Sequence, residues 1–175
     1  MKTKHLPIVF TIASSFAFSQ VIENFDDVKS GRWTYQGANQ GTFDSTATPP
    51  TGNSTVCGYV QRQAGQGNEF DNIQYTLFES FSENQLASLS NGSSVMKMKV
   101  ATTASVGITV KIKIEGANGE VDFHSEYDAV TTKGGANEWE ELSFVKNESA
   151  VGSLPASQAK KIVIFFAFLT QVVIK

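Results

Sequence analysis

SVMKMKVAT, residues Ser94–Thr102, and GITVKIKIE, residues Gly107–Glu115, decide the fold. In the first, Met96, Met98 and Val100 fall on one side of an extended chain and Lys97 and Lys99 on the other. In the second, Ile108, Val110, Ile112 and Ile114 are set against Lys111 and Lys113. Successive side chains of a strand point to opposite faces, so apolar and charged residues alternating at a period of two mean a half-buried β-strand. Glu140–Val145 repeats the pattern, with Leu142 and Phe144 inward and Trp139 and Glu141 on the opposite face. Lys161–Phe168 (KIVIFFAF) is apolar on both faces, as in a central strand covered on each side. Val21–Phe25, Val56–Arg62, Ile73–Phe78 and Val121–Val130 complete the expected strands. Helical spacing holds nowhere long enough for a sizeable helix, and only Glu83–Leu89 invites a short helical turn.

Between these segments lie Pro49-Pro50-Thr51-Gly52-Asn53, Ala64-Gly65-Gln66-Gly67-Asn68, Asn91-Gly92, Asn118-Gly119 and Gly134-Gly135, all turn formers. Pro49, Pro50 and Pro155 fall in connections, where the missing N–H disturbs no ladder. About eight to ten short strands so punctuated make an all-β chain, a two-sheet antiparallel β-sandwich of jelly-roll type. Met96, Met98, Val100, the Ile108–Ile114 series, Leu142, Phe144, Ile162, Ile164 and Phe166 share the inward phase and are the expected core.

Lys2 and Lys4 precede an apolar run from Leu6 to Phe18, which ends in Ala17-Phe18-Ser19. A basic start, an apolar middle and small residues at the end form a signal peptide over 1–19, with cleavage leaving Gln20 at the new terminus. The run is too short for a spanning helix of about 20 apolar residues. The remainder, 20–175, is one domain, and the chain is expected to be secreted.

Of the 175 residues, 41% are hydrophobic and 18% charged, so the chain can bury a core and is not disordered by composition. A net charge of −3 argues against affinity built on phosphate neutralisation. The single Cys57 excludes an intramolecular disulfide and any multi-Cys zinc site. In an exported chain it is a free thiol, an intermolecular bridge, or simply a small strand side chain. Catalytic pairing is poorly served. Asp26/Asp27 and Glu140/Glu141 are adjacent, so in a strand they point to opposite faces and cannot flank one bond. His124, the only His after the leader, sits in no recognisable hydrolase motif.

Taken in order, VIENFDDV (21–28), Trp33, FDSTATPPTGNSTVCGYVQR (43–62), VMKMKVAT, TVKIKIEG, NEWEELSF (137–144) and KKIVIFFAF (160–168) resemble a jelly-roll, galactose-binding-like carbohydrate-binding module of secreted Bacteroidota proteins. Such modules are often attached to polysaccharide-degrading enzymes. The resemblance covers nearly the whole chain after the leader. It departs at Ala167, where that family often has Asp, and at Leu169–Lys175, where the family closes with an acidic strand. The last strand is therefore expected to be truncated. The resemblance implies a non-catalytic protein whose partner is a polysaccharide, a monomer with no nucleic-acid partner and no membrane span. A structural or adhesive sandwich without a glycan site, and a small β-sandwich lyase or hydrolase, are the alternatives.

Jelly-roll modules of this kind commonly hold a structural Ca²⁺ between first and last strands, which assigns Glu23 and Asp26 as its carboxylate ligands. The same residues serve equally as an acidic, solvated strand end. For sugar, flat aromatic faces and hydroxyl-reading polar groups are needed. Tyr59 is out of phase with Val56, Gly58 and Val60, and Arg62 closes that strand, so the two form a candidate contact surface with Tyr35 or Tyr75 nearby. Trp139 is a further candidate. All four aromatics can instead complete the core. Lys111 and Lys113, with Lys97 and Lys99, make a basic stripe suited to an anionic glycan if their strands are neighbours, and a solvated outer face otherwise.

Overall fold

The computed structural model describes residues 31–36, 42–47, 57–61, 71–102, 106–116, 119–133, 138–152, 158–166 and 171–174. In chain order these form β1 (Gly31–Gln36), β2 (Thr42–Ala47), β3 (Cys57–Gln61), β4 (Asn72–Leu77), α1 (Glu83–Ser90), β5 (Met96–Thr102), β6 (Thr109–Gly116), β7 (Gly119–Val130), β8 (Glu140–Gly152), β9 (Ala159–Phe166) and β10 (Gln171–Ile174). The strands are hydrogen-bonded in the order β1-β4-β9-β6-β7-β8-β5-β10-β3-β2. Every described pairing is antiparallel.

The chain curls into two layers at β8. Residues 140–144 of that strand pair with β5, whereas residues 145–152 pair with β7 along the other edge. The first layer is thus β1-β4-β9-β6-β7 and the far half of β8. The second is the near half of β8 with β5, β10, β3 and β2. Ile73, Tyr75, Val110, Ile112, Ile114, Ile162, Ile164 and Phe166 of the first layer are buried in one cluster with Val60, Val100, Leu142 and Phe144 of the second. Met96 and Met98 pack half-buried against it while Lys97 and Lys99 stay exposed, as the alternation requires. The apolar double face of the ninth strand is also present: Val163, out of phase with Ile162 and Ile164, is only 1% exposed. The result is the all-β sandwich expected from the sequence.

The expected helical turn is α1. Ser82 caps it, its Oγ accepting from the Gln85 N–H at 3.2 Å while the Gln85 side chain accepts from the Ser82 N–H at 2.7 Å. This reciprocal box satisfies two donors that a helix start leaves open. Leu86 and Leu89 turn its apolar side onto the sandwich. Gly92 follows the helix at φ +77°, a left-handed conformation that side chains with a Cβ adopt at a cost. Among the described residues no helix is long and apolar enough to cross a membrane.

Three strands have no counterpart in the alternation analysis: β1, β2 and β10. The last pairs with β3 on one side and β5 on the other, so a strand follows β9 and closes the gap between them. The strand expected at Val21–Phe25 and the leader over 1–19 lie outside the described residues.

Tyr75 is the largest side chain buried almost completely, at 1% exposure, and its ring meets Trp33 at 4.6 Å between centroids. Tyr75→Ala should cost about 3–5 kcal/mol, the range for truncating a buried aromatic, against about 1 kcal/mol for uncapping α1 with Ser82→Ala. Urea unfolding midpoints compare the two directly. A smaller loss at Tyr75 than at Ser82 would contradict this packing.

Candidate functional site

On the first layer, the face turned away from the core is set by the register of β6. Lys111 lies opposite Asp128 of β7 and Phe165 of β9, and Lys113 lies opposite Glu126 and Val163. Asn72 and Gln74 of β4 continue the two rows beyond Phe165 and Val163. Because all these residues share the phase opposite to Val110, Ile112 and Ile114, the result is one polar band across the middle of a sheet.

Its groups are held in place. Lys111 donates to Glu126 Oε2, and Lys113 Nζ sits 3.0 Å from Glu126 Oε1, so one carboxylate clamps two lysines. The Lys113 ammonium is also 5.7 Å from the Phe165 ring centroid, within cation–π range. Gln74 donates to Asn72 Oδ1 at 3.2 Å and to the Gln36 side chain. Asn147 donates to Asp128. Glu115 and Lys161, 3.8 Å apart, extend the band by one more row. The shielding is strong for an outer face: the Glu126 side chain is 9% exposed and that of Lys113 14%. Burial pushes the Glu126 carboxyl upward, but the hydrogen bonds and charges of Lys111 and Lys113 outweigh it and hold the carboxyl below its usual range.

The second layer offers a different outer face. Cys57 and Ala101 are buried there, with Tyr59 and Trp139 half-buried against them. Lys97 and Glu141 form an exposed pair at 2.6 Å on the same face.

Several expectations are corrected by this placement. Tyr75 is core, in tilted ring contact with Trp33, and has no face to present to a sugar. Tyr35 belongs to the same inward phase of β1, and its hydroxyl donates to Asp71 Oδ2 at 3.1 Å. Neither ring is near Tyr59, which sits in the other layer and faces away from the core. The four-lysine stripe does not form, because β5 and β6 are in different layers. Lys111 and Lys113 are instead paired with Glu126 and, 4.0 Å from Lys111, with Asp128, so their charge is balanced within the first layer. Cys57 is fully buried on its strand. Arg62, Glu23 and Asp26 lie outside the described residues. Among those described, no group of three or more His, Cys, Asp or Glu could hold a metal ion. Phe165, Asn72, Gln74, Glu126 and Asp128 were not singled out from the sequence. The one available signal was that Glu126-x-Asp128 mirrors Lys111-x-Lys113 in the preceding strand.

No family model and no curated protein matches the chain. Solved structures do. One is a family 11 carbohydrate-binding module from Clostridium thermocellum in complex with a β-1,3-1,4-mixed-linked tetrasaccharide, 14% identical, with a TM-score of 0.52 over 87% of this chain and 89% of that one. Another is the family 11 module of the cellulosomal cellulase Lic26A-Cel5E of Clostridium thermocellum, also 14% identical at TM-score 0.52, over 89% and 90%. The fold is that of these jelly-roll modules. At such identity the likeness is one of architecture, and the chemistry rests on this chain's own residues.

The lowered Glu126 carboxyl links the polar band to pH. Its contribution to stability is present above the ordinary value of 4.5 and is lost as pH falls through the lower folded value. Glu126→Gln should therefore flatten the acid side of the stability–pH profile and leave its shape above neutrality unchanged. Parallel acid limbs for wild type and variant in urea titrations would rule out this linkage.

Proposed function

We propose that the chain is a non-catalytic carbohydrate-binding module, exported from the cell, that holds a neutral polysaccharide on the polar band of the first layer. The observation that carries this reading is the band itself: hydrogen-bonding groups fixed by one another around the half-buried ring of Phe165, on a face the core does not use. Amide and carboxylate groups already held in geometry read sugar hydroxyls with little ordering cost, and a ring receives the C–H face of a pyranose. Charge balance within the band favours a neutral glycan, since an incoming uronate would have to displace Glu126 from two lysines.

The same geometry weighs against hydrolysis. A glycosidase needs a carboxylic acid whose pKa is raised so that it can donate a proton at working pH. The Glu126 carboxyl is displaced in the opposite direction. The shared jelly-roll architecture with modules described as carbohydrate-binding supports the same conclusion.

A glycan array probed with residues 20–175 tests the reading, with neutral and anionic polysaccharides side by side. Binding should fall on neutral glycans. Phe165→Ala should then weaken it by roughly 1–3 kcal/mol, as for loss of a stacked ring, and Gln74→Ala by about 1 kcal/mol for a lost hydrogen bond. Array silence would favour a purely structural sandwich, and an affinity unmoved by both substitutions would overturn the band as the site.

A further inference from the structure

We propose that recognition on the first layer is decided at its β1–β4 flank, which reads a linear, neutral oligosaccharide laid along the two strands rather than a single sugar. This rests on the glycan-binding reading above and adds to it the direction and the length of the bound chain.

The outward positions of the two strands pair as rungs of a ladder: Gln36 with Asn72, Thr34 with Gln74, and Arg32 with Thr76. On β9 the same rungs continue as Phe165, Val163 and Lys161. Rungs on one face of a strand recur about every 6.8 Å, so the outer two stand about 14 Å apart, farther than one pyranose reaches. The ladder is open to a ligand. Arg32, Thr34, Gln36 and Thr76 are all exposed and Gln74 is half-buried. Next to them Val163 is 1% and Asn72 7% exposed. Accessible polar side chains therefore line the edge of a closed, well-packed sheet face.

What sets this flank apart is unused hydrogen-bonding capacity. On β6 and β7, Lys111 and Lys113 are bonded to Glu126, and Asp128 accepts from Asn147. A ligand there competes with bonds already made. On β1 and β4, Gln74 Nε2 donates to the side-chain oxygens of both Gln36 and Asn72. That relay orients the amides, which reduces the entropy lost on binding. It still leaves Gln36 Nε2 and Gln74 Oε1 without a partner among the described residues. The Thr34 and Thr76 hydroxyls and the Arg32 guanidinium make no side-chain bond among those residues either. Sugar hydroxyls both donate and accept, so an amide donor, an amide acceptor, two hydroxyls and a guanidinium fork each find a partner along one chain. Charge is confined to the last rung, where Arg32 stands and Lys161 lies 3.8 Å from Glu115. Uncharged sugars therefore meet uncharged groups over the first two rungs.

The probes are cellobiose, cellotetraose and cellohexaose with their xylan and mannan counterparts. They are titrated calorimetrically against the 20–175 chain and its Arg32→Ala, Thr34→Ala, Gln36→Ala and Phe165→Ala variants, with Lys97→Ala as an exposed control in the second layer. The ladder side chains are exposed, so these substitutions disturb folding little, and urea midpoints check it. In one series affinity should rise from biose to tetraose and level off by the hexaose. Arg32→Ala, Thr34→Ala and Gln36→Ala should each weaken the tetraose by roughly 2- to 10-fold, as for one lost hydrogen bond. Arg32→Ala, at the rung farthest from Phe165, should leave the biose almost unchanged. Phe165→Ala should weaken every length, and Lys97→Ala none. Tetraose binding that falls with Phe165→Ala but ignores all three ladder substitutions would overturn this proposal and leave the first-layer band standing. Equal affinity for biose and tetraose would overturn it too. No binding in any of the series would overturn it as well, and the glycan array then decides the broader reading separately.

Discussion

A single strand with two different partners holds this molecule together. Along β8, residues 140–144 hydrogen-bond to β5 on one edge and residues 145–152 to β7 on the other. Neither half alone could close the sandwich, because a sheet with one apolar face has to bury it against another layer. The shift of partner is accommodated by register irregularities where β7 meets β8, between His124 and Glu126 and again between Glu126 and Tyr127. Such bulges bend a strand and increase its twist. Leu142 and Phe144 can then face the core from the second layer while Val145, the next residue, is 70% exposed beside Asp128 of the first.

That arrangement assigns the charged residues their places. Paired ions on a partly shielded face add little net stability, since desolvation offsets most of the attraction. Their larger effect is on register. Slipping β6 by one residue against β7 would carry Lys111 and Lys113 into the core and Ile112 out of it. With Glu126 bonded to both lysines, only the observed register satisfies all three charges. The outer band is thus a device for specifying strand order as well as a surface with fixed polar groups. By contrast, Lys97 and Glu141 are open to water and screened, so that pair orients side chains more than it stabilises them.

Which elements were legible follows from these constraints. The strands β5, β6, β7 and β9 and the start of β8 show in the sequence because each buries one face or both, and burial imposes the alternation that periodicity detects. The strand β10 has four residues, too few for a period to declare itself. In β1 the alternating Trp33 and Tyr35 are inward, but amphipathic rings carry no sign of direction by themselves, so Tyr35 and Tyr75 read as contact residues as easily as core. The outward phase of Tyr59 was legible, since Val60 beside it is a pure hydrocarbon and 3% exposed. Strand neighbourhood was not. Period-two patterning says which face a lysine takes and nothing about the strand across from it, which is why a four-lysine stripe was plausible and a lysine–glutamate ladder was built instead.

The same limit explains where function can sit on such a fold. Inward positions in both layers are committed to the common core, and a polar substitution there would leave buried groups unsatisfied. Ligand chemistry is therefore confined to outward positions, and these can be specific only if something other than the core fixes them. The first layer fixes them laterally, through Glu126, Asn72 and Gln74 bonding to neighbours across strands. The second fixes Trp139 from behind, through Glu140 tying down residues 132–133 on the inner side of the sheet. These are two solutions to one problem, and they make different demands. Lateral bonding ties up the groups that, on the proposed reading, also meet the glycan, which is why that reading names a neutral one. Support from behind instead fixes the backbone beside Trp139, through the Glu140 carboxylate and the Lys133 ammonium.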